Sequence, residues 1–397
     1  SGIEWIGEVP EEWGITKLKY ICRMQSGNNL TSLEISSEND GGKIFPVYGG
    51  NGQRGYYSDF TNEGNYCLVG RQGALAGNVH FVSGKFWATD HAIVVYEHTH
   101  TYSKYLCYLL KAMNLNQYAF ETSAQPGLSV EKILQLEMIH CPKGEQTQIA
   151  DFLDKKVAQL DKVKSLLEEQ IKTLEDYRKS LIYETVTKGL DKTVPLKDSG
   201  VDWIGQIPEG WEVKKHKYIM SKTKTLCSHY SGQKILSLTR QGVISRDVES
   251  GKGKMPASFD GYQFLTRGDL LLCLFDIDVT PRCVGVVESD GLTSPAYSRF
   301  KVSEDSSVYY YYYLFLAMDD DKVLLHLAKN LRNSLTEDDF GDIKTIVPPY
   351  KEQEIIANYL NKKTVLIDKL IQLKKEQIEN INKQRQTLIY DYVTGKR

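Results

Sequence analysis

Residues 145–187 and 352–394 spell one long helix twice. The first copy opens EQTQIADFLDKK and closes RKSLIYETVT; the second opens EQEIIANYLNKK and closes RQTLIYDYVT. In the first, Leu153, Leu160, Leu167, Leu174 and Leu181 recur every seven residues, with Ile149, Val157, Val163 and Ile171 expected in the same stripe. Strict heptad spacing among Lys, Glu, Gln and Asp is the pattern of a coiled-coil seam. The second copy answers with Leu360, Ile367, Ile381 and Leu388, joined by Leu370, Leu373, Ile371 and Ile378, and Lys374 interrupts the row where the first has Leu167. Neither copy contains Pro or Gly, and each stops near a glycine, Gly189 or Gly395. At about 1.5 Å per residue, some 40 residues make a rod roughly 60 Å long. Such a rod exposes too much apolar surface to stand alone. Two matching rods in one chain are expected to pair antiparallel, because each follows a compact segment and the chain must return. The alternative is that each rod packs separately on its own domain.

A second duplication stands at the head of each half: EWIGEVPEEW at 4–13 and DWIGQIPEGW at 202–211. The offset is 198 positions there (4 to 202) and 207 at the rods (145 to 352), so the second half carries nine more residues between its markers. Residues 22–120 and 220–328 share almost nothing. Both inserts alternate Gly/Asn/Asp turns with short β-branched and aromatic runs, which predicts strand-rich mixed α/β domains. Helical stretches at 103–119 and 308–329 follow, and QPGLSVEKI (125–133) aligns with RNSLTEDDF (332–340). The expected organisation is a first domain at 1–143, a rod at 144–190, a second domain at 191–350 and a rod at 351–397. Trp5, Trp13, Trp203 and Trp211 read as packing residues at the start of each domain. The second copy is preceded by VPLKD, so a few further residues are expected ahead of SGIEW.

With 397 residues, the chain can fill two to four structural units. No apolar run approaches the roughly 18 residues that span a bilayer. Seven cysteines without a CxxC pair suggest reduced, mostly buried thiols of a cytosolic protein. The net charge is −2: residues 1–144 carry 11 Lys+Arg against 14 Asp+Glu, residues 190–350 carry 20 against 22, and residues 352–397 carry 9 against 6. Affinity for a polyanion must therefore come from local faces or from partners.

The turns of both inserts are dense in Arg, Asn, Gln, Tyr and His. Examples are the run Asn51-Gly52-Gln53-Arg54-Gly55-Tyr56-Tyr57, Arg71-Gln72-Gly73 and Asn78 in the first. The second has Arg240-Gln241-Gly242, Arg246, Lys252, Lys254 and Arg282. Arg pairs with guanine and Asn or Gln with adenine in the major groove, and Lys seats phosphates; polar residues also simply populate turns. Catalytic patterns fail. In VPPY (347–350) the position an amine-binding tetrapeptide gives to Asn or Asp is Val347; in GKGK (251–254) Met255 stands where a phosphate loop has a hydroxyl. No His pair has metal-ligand spacing.

The doubled WIGEVPEEW/WIGQIPEGW, the doubled EQxxIAxxL and the RQGALAGNVHF…ATDHAIVV body together resemble the specificity subunits of type I restriction–modification systems, over essentially the whole chain. The resemblance implies an α+β fold: two globular target-recognition domains joined by two long helices in an antiparallel coiled coil, with an internal pseudo-two-fold repeat. It implies a non-catalytic subunit that binds double-stranded DNA at a bipartite, asymmetric site, with two methyltransferase subunits and two restriction/motor subunits as partners. S-adenosylmethionine, ATP and Mg belong to those partners, and no cofactor or metal is expected in this chain. Carried onto this sequence, the DNA-contacting residues would be Arg54, Tyr56, Arg71, Gln72 and Asn78, then Arg240, Gln241, Arg246, Lys252 and Lys254. Gln125 and Arg332, paired by the repeat, would join them. Independently of the resemblance, the repetition of Lys155-Lys156/Lys362-Lys363, Asp161-Lys162/Asp368-Lys369, Arg178/Arg385 and Leu181-Ile182-Tyr183/Leu388-Ile389-Tyr390 within one chain points to two equivalent docking surfaces for two copies of a partner, a solvated face being the alternative.

Overall fold

The computed structural model describes residues 2–3, 5–73, 75–119, 127–248, 256–280, 282–328 and 333–397. The chain divides into two compact units. Unit 1 is Ser1–Glu168 with Lys375–Arg397, and unit 2 is Glu169–Lys374. Each unit therefore owns one globular head, the first half of one rod and the second half of the other.

In unit 1, β1 (Gly14–Lys17), β2 (Cys22–Ser26), β3 (Phe45–Gly49), β4 (Gly52–Tyr57), β5 (Asn62–Gly70), β6 (Val79–Ala88) and β7 (Ala92–Glu97) precede α1 (Ser103–Ala112), α2 (Val130–Leu134) and β8 (Glu137–His140). Six strands form one sheet in the order β2-β7-β5-β6-β3-β4, antiparallel except where β3 runs parallel to β6. Alternate residues of a strand point to opposite sides, and apolar side chains cluster on each face. Cys67 and Val69 join the core under α1, and Leu68 joins a second cluster with Phe86 and Tyr48.

Unit 2 builds its head differently. Its strands are β9 (Leu196–Asp198), β10 (Gln206–Pro208), β11 (Glu212–Lys215), β12 (Met220–Lys222), β13 (Leu236–Thr239), β14 (Gly242–Ser245), β15 (Gln263–Leu265), β16 (Leu270–Leu272), β17 (Val284–Val286), β18 (Gly291–Thr293), β19 (Ser298–Val302) and β20 (Lys344–Val347). The largest sheet has four strands, β12-β19-β16-β17, and β13-β14 and β15-β18 stand as pairs. The helices α4 (Val308–Asp320), α5 (Val323–Leu327) and α6 (Glu337–Asp342) complete it.

What the two heads share is their base. Gly14–Lys17 pairs antiparallel with 137–140, and Glu212–Lys215 pairs in the same register with 344–347. Ser129 caps α2 by accepting from the Lys132 amide, and Thr336 caps α6 by accepting from the Asp339 amide. Helix N-caps favour such hydroxyls because they satisfy an orphan N–H.

The rods are α3 (Lys143–Lys188) and α7 (Tyr350–Val393). Within unit 1, Ile149, Leu153 and Val157 near the start of α3 share a core with Ile389 and Val393 at the end of α7. Within unit 2, Ile182 and Val186 at the end of α3 share a core with Ile356 and Leu360 at the start of α7. The helices pair antiparallel in each unit. Leu153, Leu360 and Ile367 are buried, while Leu160, Leu167, Leu174, Leu181, Ile381 and Leu388 are half-buried in the same row. Lys374, which breaks the row, donates to Gln170 Oε1 at 2.5 Å.

Three apolar residues expected in the seam lie outside it. Val163, Leu370 and Leu373 are 46%, 39% and 47% exposed. Once the heptad leucines occupy one seam position, the other falls four residues later, at Lys164, Ile171 and Arg178. Val163 misses it by one residue, a turn of about 100°. Arg178 and Arg385, thought to lie on a free docking face, belong to this second row and pair across it. Arg178 Nε is 3.4 Å from Asp368 Oδ1 and Arg385 Nε is 3.6 Å from Asp161 Oδ1.

Candidate nucleic-acid interface

The doubled motifs meet as a clamp. Trp13 donates its indole N–H to Glu145 Oε2 at 3.0 Å, and Trp211 donates to Glu352 Oε2 at 2.9 Å. Tyr390 of α7 donates to the Trp5 carbonyl at 2.8 Å, and Tyr183 of α3 to the Trp203 carbonyl at 3.0 Å. Gln146 accepts from the Tyr102 amide and donates to the Cys141 carbonyl; Gln353 accepts from the Ser307 amide and donates to the Pro348 carbonyl. Each head is thus seated on the beginning of one rod and the end of the other by the same set of bonds. Trp13 and Trp211 are buried, as packing residues should be.

Above the base of unit 1, loops gather at one end of the sheet. The β3–β4 turn and the segment after β5 touch because two glycines leave room. A Cβ on Gly70 would fall 2.2 Å from the Gly50 carbonyl oxygen. They line an open hollow of about 440 Å³ with Asn51, Gln53, Arg54, Gln72, Leu75 and His91 on its walls. Arg54 lies across Gly49, whose Cβ would be 2.6 Å from the arginine Cδ, and Arg54 Nη2 reaches Ser32 Oγ at 3.4 Å. Asn78 donates to Asn51 Oδ1 at 3.1 Å. The Arg71 backbone is tied on both sides, its amide to the His91 carbonyl and its carbonyl to the Leu128 amide, each at 2.9 Å. Gln72 bridges to Gly127. The tail shared by both heads therefore braces the Arg-Gln-Gly turn from behind.

Of the five predicted positions in this head, Arg54 and Gln72 line the hollow and Asn78 joins it through Asn51. Arg71 stands beside it. Tyr56 instead pairs with Ser36 along the β4 edge, its amide and carbonyl exchanging bonds at 2.9 and 3.0 Å. His91 was not singled out from the sequence; its signal is the Asp90-His91 turn between β6 and β7.

In unit 2, Arg240 and Gln241 occupy the tip of a two-residue hairpin between β13 and β14, both exposed. Gly242 adopts φ +105°, and Thr239 Oγ1 accepts from the Gln241 amide at 3.1 Å and donates to the Gly242 carbonyl at 3.0 Å. The two Arg-Gln-Gly runs thus sit in unlike settings, one braced behind a sheet and one on a free turn. Arg246 follows β14, its amide donating to the Ile235 carbonyl at 2.8 Å. Lys252, Lys254, Gln125 and Arg332 lie outside the described residues. All seven cysteines are buried and unpaired, and no helix among the described residues is long and apolar enough to cross a membrane.

Comparisons with known proteins agree with this architecture. Residues 10–175 match the family model for the type I restriction modification DNA specificity domain. The chain is 42% identical to the EcoprrI specificity subunit of Escherichia coli over 135 residues, which is 34% of this chain and about a third (33%) of that protein's length. It is 24% identical to the putative MjaX specificity subunit of Methanocaldococcus jannaschii over 98% of this chain and 95% of that one. A chain from a solved structure of type I restriction–modification complex assembly shares the fold with a TM-score of 0.67, covering 97% of this chain and 98% of that one at 13% identity. With the doubled clamp, the paired rods and two unlike heads all in place, the chain carries a match to the type I DNA specificity domain over residues 10–175 and is similar to type I restriction enzyme specificity subunits along nearly its whole length.

Proposed function

We propose that this chain reads a bipartite, asymmetric DNA site and directs the methyltransferase and endonuclease subunits of a type I restriction–modification complex. The observation that carries the reading is the contrast between base and head. Identical clamps seat a six-stranded sheet in one unit and a four-stranded sheet with a separate hairpin in the other. Conserving the mount while changing what it carries suits a protein that presents two unlike reading surfaces to one duplex. The loop cluster around Arg54, Gln72 and Asn78, and the hairpin tip at Arg240 and Gln241, offer the Arg, Gln and Asn donors that discriminate base edges.

The rods set the unread gap between the half-sites. Their repeated off-seam residues form a face for each of two methyltransferase subunits. Lys155, Lys156, Lys162 and Val163 lie on α3, and Lys362, Lys363, Lys369 and Leu370 lie on α7. Catalysis, with its S-adenosylmethionine, ATP and Mg, resides in the partners, and the assembly acts in the cytoplasm on the chromosome. Mapping methylated adenines in a host that expresses this chain with its methyltransferase tests the reading. The expected result is methylation at one split motif with two different halves. A palindromic motif, or none, would overturn it; a complex that forms without any DNA dependence would mark a protein scaffold instead.

A further inference from the structure

Beside the loop hollow, unit 1 holds a larger open cleft of about 1020 Å³ between the start of β6, the end of α1 and the last part of α7. Gly77 makes it possible: it adopts φ +93°, and a Cβ there would lie 2.4 Å from the Asn116 amide nitrogen. His80, Lys111 and Arg385 line the cleft together with amide side chains that include Asn78, Asn382 and Gln386, and no carboxylate is among the described residues lining it. Lys111 makes no ion pair among the described residues; its ammonium rests 5.3 Å from the Tyr108 ring centroid. Arg385 Nε has Asp161 at 3.6 Å, beyond hydrogen-bond reach, and that buried nitrogen has no acceptor. His80 Nε2 is likewise buried without a partner, and burial with the nearby Lys111 pushes its pKa down.

The repeat supplies a control. Arg178 is the α3 counterpart of Arg385, and in unit 2 the head brings its own anion to that place. Asp320 at the end of α4 has Lys179, Arg178 and Arg282 as its cationic neighbours. Arg178 is accordingly 20% exposed against 34% for Arg385. Head 1 places no carboxylate among the described residues lining the cleft, where Arg385 keeps its rod partner Asp161 and, like Arg178, has a buried Nε without an acceptor.

We propose that this cleft seats phosphates of the DNA strand whose bases face the neighbouring loops, with Lys111 and Arg385 as cations and Asn382 and Gln386 as amide donors. The proposal rests on the DNA-reading function proposed above and adds a backbone track to it. DNA is favoured over an acidic protein segment because cleft and hollow are joined through one contact. Asn78 lines the first and donates to Asn51 of the second. Half to two-thirds of protein–DNA hydrogen bonds go to phosphate and sugar, from Arg, Lys, Asn and Gln among others.

The test uses the full chain in complex with its methyltransferase subunit and two duplexes, one carrying the mapped methylation site and one with both half-sites shuffled. Affinity is measured across salt for wild type, Lys111→Gln and Gln386→Glu, the latter at an exposed rod position that leaves the fold intact. Each variant should weaken both duplexes alike and flatten the salt slope by about 0.9 per lost phosphate contact. Between about 50 and 200 mM salt that is roughly a 3.5-fold smaller loss of affinity. Wild type that prefers its site, with variants that keep the full slope, overturns the cleft assignment alone. Wild type indifferent to the two duplexes overturns the DNA-reading function and the cleft with it. Variants that release the methyltransferase subunit in the absence of DNA would show a protein in the cleft and also overturn the proposal.

Discussion

The indole nitrogen of Trp211 lies 2.9 Å from a carboxylate oxygen of Glu352, joining the start of a head to the start of its rod across 141 positions of sequence. Trp13 and Glu145 repeat the bond at 3.0 Å. Replacing Trp211 with Phe removes the donor together with one of the two fused rings, leaving a half-buried carboxylate without its partner and a small void beside it. The expected cost is about 1–3 kcal/mol in denaturant unfolding. A loss below about 0.5 kcal/mol would mean that neither the bond nor the second ring of Trp211 holds the clamp.

His216 is fully buried against Phe315 and Phe340, its Nδ1 3.0 Å from the Phe340 carbonyl and its Nε2 unpartnered. Burial pushes its pKa from 6.5 down to about 4. The folded state then binds fewer protons than the unfolded chain between those values, so stability is present above pH 6.5 and lost as pH falls toward 4, by an amount on the order of 3 kcal/mol. The 198-residue offset puts Leu18, also fully buried, at the matching place in unit 1. His216→Leu should therefore flatten the pH dependence of unfolding in that window. An unchanged slope would assign the acid sensitivity elsewhere.

The cross-rod ion pairs are partly exposed, and their worth should be small. A double-mutant cycle on Arg178→Met and Asp368→Asn is expected to give a coupling of about 0.2–1 kcal/mol in thermal or denaturant melts. A coupling above about 2 kcal/mol would show that the pair is better shielded than its 3.4 Å separation and exposure indicate.

Arg71→Ala and Arg240→Ala should each relax one half of the DNA motif and leave the other intact, at about 1–3 kcal/mol per lost bidentate contact. Methylome sequencing of each variant reads this directly. Equal erosion of both halves would contradict separate reading by the two heads.

Leu160 and Ile367 lie in the rod seam, half-buried and buried respectively. Substituting both with Asp places carboxylates in an apolar row, an uncompensated burial costing several kcal/mol. The methylated motif should then lose its fixed gap length. A motif with the original spacing would remove the rods from the measurement of distance.

The rods, their bounds near Gly189 and Gly395 and the tryptophan-rich openings are legible in the sequence because heptads and duplicated words survive without tertiary context. The finer register is not. Val163, Leu370 and Leu373 are as apolar as any seam residue, and their exposure in the paired helices, with Lys164 and Arg178 half-buried, shows which row faces inward. The loop residues divide in the same way. Arg54 and Gln72 converge because Gly50 and Gly70 permit two backbones to touch, a contact that no spacing along the chain encodes. Tyr56 looks equivalent in composition yet belongs to a strand edge. The two Arg-Gln-Gly runs look alike in letters and differ in setting, since one is braced by the segment near Leu128 and the other is the tip of a hairpin.

The clamps also bear on how such a chain could be assembled from less. Trp13 and Glu145 come from one half of the sequence, while Tyr390, which binds the Trp5 carbonyl in the same unit, comes from the other; Trp211, Glu352 and Tyr183 repeat this with the halves exchanged. Neither half closes its own fold. In bonding terms the molecule is a domain-swapped dimer written on a single polypeptide, and a gene encoding one half would yield a protein that becomes whole only on meeting a second copy of itself.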